Sequence, residues 1–299
     1  MLRRKIKTDA KTALCNNWGK AICIMLVFLA VWVLFALLES VISVALGLQS
    51  FQQMFALEGL PPEHLNTTQM LLSVAMLVLS FLVLAPLTTG MIQWYYRLTE
   101  GESEEISTVF SMFSTAKTYF KTLWLHLNLT VRVLCWTVLL TGPGALISWW
   151  GWRTLGRVTN DMGKALAVTG MFSGLVLLVL GIIFLLILST KYLLALFLYV
   201  ESPDVKISAA IRASRHYTRG HRLELFAFFV SFLPWYLLCI ILVPLLYVVP
   251  YLSCSMALYS RYLIQLGRNR EMEATKAYEA PIYTEAPVVD VHDFDEENE

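Results

Sequence analysis

Charged residues are scarce in this sequence of 299 residues: they make up 15% of it, against 57% hydrophobic residues. A typical soluble domain has about 25% charged residues. Disordered chains and nucleic-acid-binding chains carry more charge than this, so the composition excludes both classes. It also disfavours one or two ordinary soluble domains and predicts an all-α, polytopic membrane protein.

Paired cysteines are also lacking, since the five cysteines are odd in number and no two have the C-x-x-C spacing. They are Cys15, Cys23, Cys135, Cys239 and Cys254. Four of them lie in apolar stretches, which is typical of reduced, buried thiols rather than of disulfides or a zinc site. We therefore expect no metal ion and no cofactor.

Enzyme signatures are absent: the sequence has no H-E-x-x-H, no G-x-S-x-G and no P-loop. The five histidines are scattered, and no apolar stretch contains two carboxylates. We assign no catalytic residue and expect a protein that is not an enzyme. An intramembrane enzyme stays open as an alternative, because such sites assemble from distant spans.

Long apolar runs, by contrast, are abundant. A bilayer core of ~30 Å needs about 20 helical residues. Six runs meet this length, at 21–47, 70–94, 122–149, 165–199, 223–243 and 245–266. The first exceeds the ~7–15-residue core of a signal peptide, so we interpret it as a retained anchor.

The distribution of Lys and Arg predicts the orientation, because basic residues concentrate on the cytoplasmic side. The segments 1–20 and 200–222 are rich in them, whereas 48–69 has none. With six spans, both termini are cytoplasmic. Only Arg153, Arg157 and Lys164 then fall outside, so the topology of the 142–165 hairpin stays open.

Three segments that precede outward-going spans have apolar residues at helical spacing: 1–20, 106–120 and 202–220. We expect three hairpins, each preceded by a cytoplasmic amphipathic helix. Such helices lie in the membrane interface through an apolar face, and their basic groups attract anionic lipid headgroups.

Polar side chains inside the spans are candidate functional groups, because lipid burial of a charge costs about 2.5–3.5 kcal/mol even on lenient scales. They are Glu39, His126, Asn128, Arg132, Lys191 and Glu224. In one interpretation Glu39 and Arg132 line a polar pathway. In the other, which we favour, these groups pair for structural reasons or lie at the interface.

Prolines within the apolar runs predict kinks or breaks, because proline lacks an N–H and clashes with the preceding turn. The helix-break candidates are Pro86, Pro143, Pro234, Pro244 and Pro250. The run Gly142–Gly144 is expected to break the third span, and a turn near Pro244 is expected to separate the last two. Broken helices line substrate sites in some transporters, although single kinks more often serve packing.

The end of the chain differs from the rest. Residues 271–299 contain ten acidic residues and one Lys, a net charge of −9, whereas residues 1–270 have a net charge of +10. This composition buries too little apolar area to offset chain entropy, so we predict an acidic, disordered cytoplasmic tail over 267–299. The tail is a candidate site for a protein partner.

Two blocks of sequence resemble a known family. One is Asn17–Ala21 after the basic first helix, and the other runs from Lys191 to Tyr262 and includes Gly220-His221-Arg222 and Ser231–Trp235. Together they resemble a family of Gram-positive bacterial integral membrane proteins that carries a domain-of-unknown-function label, number 975. The resemblance implies a bacterial cytoplasmic membrane and implies no activity, cofactor or catalytic residue.

Besides an intramembrane enzyme, for which no residue gives positive evidence, the sequence is compatible with two classes of function. We favour a non-enzymatic accessory or partner-binding component of the membrane, which associates with anionic lipid and with a protein through the tail. The alternative is a transporter of a small solute, lipid or peptide. A continuous polar cavity across which Glu39 and Arg132 face each other would favour transport, whereas a dry bundle core or contact of these groups with lipid headgroups would favour the accessory component.

Overall fold

The computed structural model describes residues 2–48, 67–102, 104–239 and 242–279. Every regular element in these ranges is a helix, as the composition predicts. In chain order the elements are α1 (Leu2–Leu14), α2 (Trp18–Ala45), α3 (Thr67–Leu98), a 3₁₀ helix (Ile106–Phe113), α4 (Ala116–Leu155), α5 (Asp161–Glu201), α6 (Ile207–Tyr217), α7 (Arg222–Val230), α8 (Leu233–Leu238) and α9 (Leu242–Glu279).

Four helices in the described ranges are long and apolar enough to cross a membrane, namely α2, α3, α4 and α5. They correspond to the first four predicted spans. Between 11% and 22% of their most apolar windows is buried inside the protein. The remaining apolar surface of these helices is exposed, and its area is far larger than the apolar area that soluble proteins expose. A medium other than water must therefore surround it.

The α4–α5 hairpin is packed through glycine. A Cβ on Gly144 would lie 2.5 Å from the backbone nitrogen of Leu178, and a Cβ on Gly174 would lie 2.4 Å from that of Ser148. Small residues let helix backbones approach closely in apolar surroundings, where close packing drives association. The two helices therefore touch backbone to backbone along their apolar lengths.

Most of the predicted helix breaks are wrong. Pro143 lies inside α4, which runs without interruption through Gly142–Gly144. Pro86 and Pro250 lie inside α3 and α9. A proline removes one backbone hydrogen bond, and packing on neighbouring helices can hold both sides of the gap in line. Pro244 lies in the first turn of α9, where its missing N–H removes no intrahelical bond.

The predicted span 223–243 is not one helix. α7 ends at Val230, and α8 begins at Leu233 with Pro234 in its first turn. Pro234 has no N–H to bond to the carbonyl of Val230, and its ring clashes with that carbonyl, which explains the end of α7 at Val230. Of the predicted helix breaks within a span, the one at Pro234 is found.

The helix α9 packs beside the start of α2, and α7 and α8 pack on α9. Phe228 of α7 stacks on Tyr259 of α9, with ring centroids 5.0 Å apart. Tyr247, near the beginning of α9, stacks on Trp18 at the first residue of α2, at 4.8 Å. The third predicted hairpin therefore lies near the base of α2, and the arrangement of six spans is not confirmed.

Most buried side chains lie at one end of the four long helices, where α2 begins, α3 ends, α4 begins and α5 ends. We call this end, together with α1, the 3₁₀ helix, α6, α7, α8 and α9, the basal layer. Its largest fully buried side chains are aromatic: Trp94, Tyr95, Tyr199, Phe228, Phe232 and Tyr259. Two apolar hairpins, α2–α3 and α4–α5, project from this packed base.

The short segments expected in the lipid interface bury their apolar faces in protein. α1 buries Ile6, Ala10 and Leu14 in the main core cluster, and the Cys254 thiol of α9 donates to the Ala10 carbonyl at 3.7 Å. α6 buries four residues along one face: Ala210, Ile211, Ser214 and Tyr217. The middle segment is the 3₁₀ helix followed by the start of α4, rather than one amphipathic α-helix.

The predicted start of the disordered tail at residue 267 is wrong for residues 267–279, which continue α9. The Arg268 guanidinium donates two hydrogen bonds to the Glu201 carboxylate, at 2.8 and 2.9 Å. The Tyr217 hydroxyl donates to Glu271 at 2.9 Å. These contacts join α9 to the ends of α5 and α6. Residues 280–299, which include most of the predicted partner-binding tail, lie outside the described residues.

Candidate functional site

A pocket of about 290 Å³ lies between α4 and the start of α6. One stripe of α4 lines it at spacings of three, four and four residues, which places the side chains on one face. These residues are Lys121, Trp124, Asn128 and Arg132. The first residues of α6 and the residue before them line the opposite wall: Lys206, Ile207, Ser208 and Ile211.

The lining of this pocket is cationic. It contains Lys121, Arg132 and Lys206 and no carboxylate. The Lys121 ammonium donates to the Pro203 carbonyl and so ties the loop before α6 to α4. Arg132 and Lys206 form no ion pair with any residue in the described ranges. The pocket thus has two cations available to an outside ligand.

The first turn of α6 adds to this positive potential. The amide groups of Ile207 and Ser208 begin the helix and have no carbonyl partner within it. Helix N-termini carry a partial positive charge and favour anions. Side chains in a helix tilt toward its N-terminus, so the Arg132 side chain extends back along α4 toward α6.

The pocket lies at the boundary between the basal layer and the apolar hairpin. The stretch 133–150 of α4 and the stretch 165–190 of α5 contain no charged residue. Thr122 lies opposite Tyr199, with hydroxyls 3.1 Å apart, and Gly144 lies opposite Leu178. This antiparallel register places Arg132 at the level of Lys191, where both apolar stretches end.

Lys191 also supports this boundary. Its side chain is buried, with the ammonium 4.2 Å from the ring centroid of Trp136 and 4.9 Å from that of Tyr192. Cation–π contacts of this kind stabilise a partly desolvated ammonium. Lys191 therefore serves the packing of α4 on α5.

Glu39 lies elsewhere. Its Oε1 accepts a hydrogen bond from the Ser73 hydroxyl at 2.7 Å, and one turn farther Gln69 donates to Ser43 at 3.3 Å. Both bonds join α2 to α3. Glu39 and Arg132 thus contact different helices, and the pocket that contains Arg132 does not include Glu39.

The remaining polar candidates have local partners. The His126 ring nitrogen Nε2 is 2.8 Å from the Thr89 hydroxyl and joins α4 to α3. Asn128 donates to the Trp124 carbonyl of its own helix at 2.9 Å while it lines the pocket. Glu224 is in the first turn of α7 and lies 3.0 Å from His221 Nδ1, so it belongs to the basal layer rather than to a span.

Sequence reasoning singled out Asn128 and Arg132 but missed their pocket partners Lys121, Trp124 and Lys206. The stripe on α4 is visible in the sequence as residues three or four apart. Its meeting with α6 is a tertiary contact across about 80 residues of chain, which no local pattern encodes.

The family model described as "Protein of unknown function (DUF975)" matches residues 1–266. No curated protein and no solved structure matches the chain.

Proposed function

We propose that this chain, which belongs to the DUF975 family, is a non-enzymatic accessory component of the bacterial cytoplasmic membrane. The helices α2 to α5 span the membrane, and the basal layer lies at the cytoplasmic face with both termini. Through this face the protein binds anionic lipid headgroups and a protein partner.

One observation carries the proposal: Glu39 and His126, two of the polar side chains in the apolar helices, bond to neighbouring helices. Glu39 bonds to Ser73, and His126 contacts Thr89. Polar groups in spans often act in this way to hold helices together. A transport pathway would instead need these groups around one cavity, so the arrangement favours a structural use.

The distribution of charge supports the orientation. The basal layer contains the basic residues of α1 and α6, which the positive-inside rule assigns to the cytoplasm. The opposite end of the α4–α5 hairpin has Trp149, Trp150 and Trp152, all exposed and typical of a membrane–water interface. A continuous arrangement of six spans would place residues near 240 outside, whereas the packing of Tyr247 on Trp18 favours four spans.

The exposed side of α6 is the surface that we assign to the partner. Arg212 and Arg215 are exposed there, opposite the buried face of the helix, and Arg219 is exposed in the turn that follows it. An arginine surface recognises carboxylates well, because the guanidinium forms paired hydrogen bonds with them. The partner is therefore expected to present acidic residues.

The partner surface is testable by crosslinking in native membranes followed by quantitative mass spectrometry. We compare the wild type, the triple variant Arg212→Glu, Arg215→Glu, Arg219→Glu, and Glu39→Gln. The triple variant is expected to lose the enriched partners about tenfold, because it reverses three charges at the contact. Glu39→Gln is expected to retain them.

The control is an unrelated multi-pass protein produced at the same level. The proposal is contradicted if nothing is enriched above this control. It is equally contradicted if the triple variant recovers the same partners as the wild type.

A further inference from the structure

The cationic pocket between α4 and α6 has the composition and the position of a phosphate site. We propose that it binds the phosphate of an anionic phospholipid headgroup, with Arg132 and Lys206 as direct ligands. The lipid source of the phosphate rests on the proposed function, since it requires the basal layer to lie at a membrane face. The phosphate chemistry rests on the pocket alone.

The first argument for a phosphate site is the charge of the pocket. Two cations that are unpaired within the described ranges converge on a space of about 290 Å³ whose lining contains no carboxylate. Ile207 and Ser208, whose amides have no carbonyl partner within α6, line the same space at the start of that helix. Arginine forms paired hydrogen bonds with phosphate oxygens, and amides at a helix N-terminus favour the same anion.

The second argument is the position of the pocket relative to the apolar stretch of α4. Arg132 lies where the uncharged stretch 133–150 of α4 begins. A phospholipid places its phosphate at this boundary and its acyl chains beside the uncharged stretch. Leu139, seven residues beyond Arg132 and on the same face of α4, is 64% exposed and offers an apolar surface for those chains.

The third argument is the presence of Trp124, which lines the pocket and is 58% exposed. An indole ring favours the headgroup level of a bilayer because one end is apolar and the other is wet. Lys121 has a different role, since its ammonium donates to Pro203 and holds the loop before α6. Lys121 is thus a positioning residue, and Arg132 and Lys206 are the binding residues.

The test measures thermal stabilisation of the purified full-length protein in a zwitterionic detergent. Three probes are used: a short-chain phosphatidylglycerol, the phosphatidylcholine of the same chain length, and inorganic phosphate. A ligand that binds only the folded state raises the melting temperature, and at equal free concentration a tighter ligand raises it more. Phosphatidylglycerol is expected to stabilise the wild type more than phosphatidylcholine at equal concentration.

The variants Arg132→Gln and Lys206→Gln are each expected to weaken phosphatidylglycerol binding about tenfold, since each removes one charge-assisted contact. Arg157→Gln is the matched control, because Arg157 is exposed beyond the far end of the α4–α5 hairpin. It is expected to bind as the wild type does. All three variants remove one positive charge, so a general loss of charge affects them equally.

Three results would overturn the proposal. They are equal stabilisation of the wild type by both lipids, unchanged phosphatidylglycerol binding in both pocket variants, and stabilisation by inorganic phosphate without stabilisation by phosphatidylglycerol. If the pocket variants lose binding while the basal layer is found outside the cell, the phosphate site stands and the proposed function fails. If the orientation is as proposed and the variants bind normally, only the pocket assignment fails.

Discussion

Replacing Gly90 with leucine is expected to prevent the protein from folding. Gly90 lies in α3 against the 3₁₀ helix, and a Cβ at this position would lie 1.9 Å from the carbonyl oxygen of Val109. The obstacle is backbone rather than a flexible side chain, so α3 and the 3₁₀ helix must separate. Overpacking typically costs about 1–3 kcal/mol and more when backbone must move, which is a large share of a marginal stability.

The measurement is fluorescence-detected size exclusion of the detergent-solubilised protein. Gly90→Leu is expected to reduce the monodisperse peak about tenfold. Gly142→Leu is the matched control, because Gly142 is also inside a long apolar helix but has no atom within 4 Å of its ideal Cβ position. Equal peaks for the two variants would contradict the packing of the 3₁₀ helix on α3.

Replacing Ala10 with leucine in α1 is expected to have the second largest effect. Ala10 is fully buried against α9, where its carbonyl accepts from the Cys254 thiol. A larger side chain there has no space, so we expect a loss of about 1–3 kcal/mol of unfolding free energy. Thermal unfolding in detergent measures this as a lower melting temperature.

The same substitution decides where α1 lies. If its apolar face were in the lipid interface, leucine at position 10 would add apolar area and leave the protein as stable as before. Thr8→Leu is the control, because Thr8 is exposed on the same helix. A melting temperature equal to that of Thr8→Leu would contradict the contact between α1 and α9.

The surroundings of α1 also shift the pKa of Lys7. The Lys7 ammonium lies 4.2 Å from the ring centroid of Phe232 and donates to the Ser231 carbonyl at 3.2 Å. Partial burial, together with the nearby charges of Arg3 and Lys11, lowers the pKa of Lys7. Lys7 thus joins α1 to the turn between α7 and α8.

The four long helices could be predicted from the sequence because their signal is local. An apolar run of sufficient length specifies a helix of bilayer length without reference to any neighbour. The runs that contain Glu39 and Lys191 were therefore identified despite their polar residues. Helix ends were less well predicted: α4 begins at Ala116 and α5 ends at Glu201, each beyond the apolar run.

The breaks and the surfaces could not be predicted in the same way. Whether Pro143 interrupts a helix depends on the packing around it, here Gly144 on Leu178, which the sequence does not show. Likewise, the apolar stripe of α1 predicts a buried face but not whether lipid or protein covers it. The cationic pocket between α4 and α6 could not be predicted, because it depends on the contact of Lys121 with Pro203, which joins distant parts of the chain.

The central claim is that the basal layer lies at the cytoplasmic face with α7, α8 and the start of α9 in it. Labelling of single cysteines with a membrane-impermeant maleimide tests it directly. In a variant without the other native cysteines, Cys239 at the end of α8 is compared with Arg157→Cys and Arg219→Cys. A membrane-permeant maleimide first establishes that each thiol reacts.

In intact spheroplasts the Arg157→Cys thiol is expected to react, whereas Cys239 and Arg219→Cys are expected to react only in inverted vesicles. Reaction of Cys239 in intact spheroplasts would instead establish six spans and remove α8 from the basal layer. Reaction of the Arg219→Cys thiol in intact spheroplasts would indicate the opposite orientation and contradict the central claim.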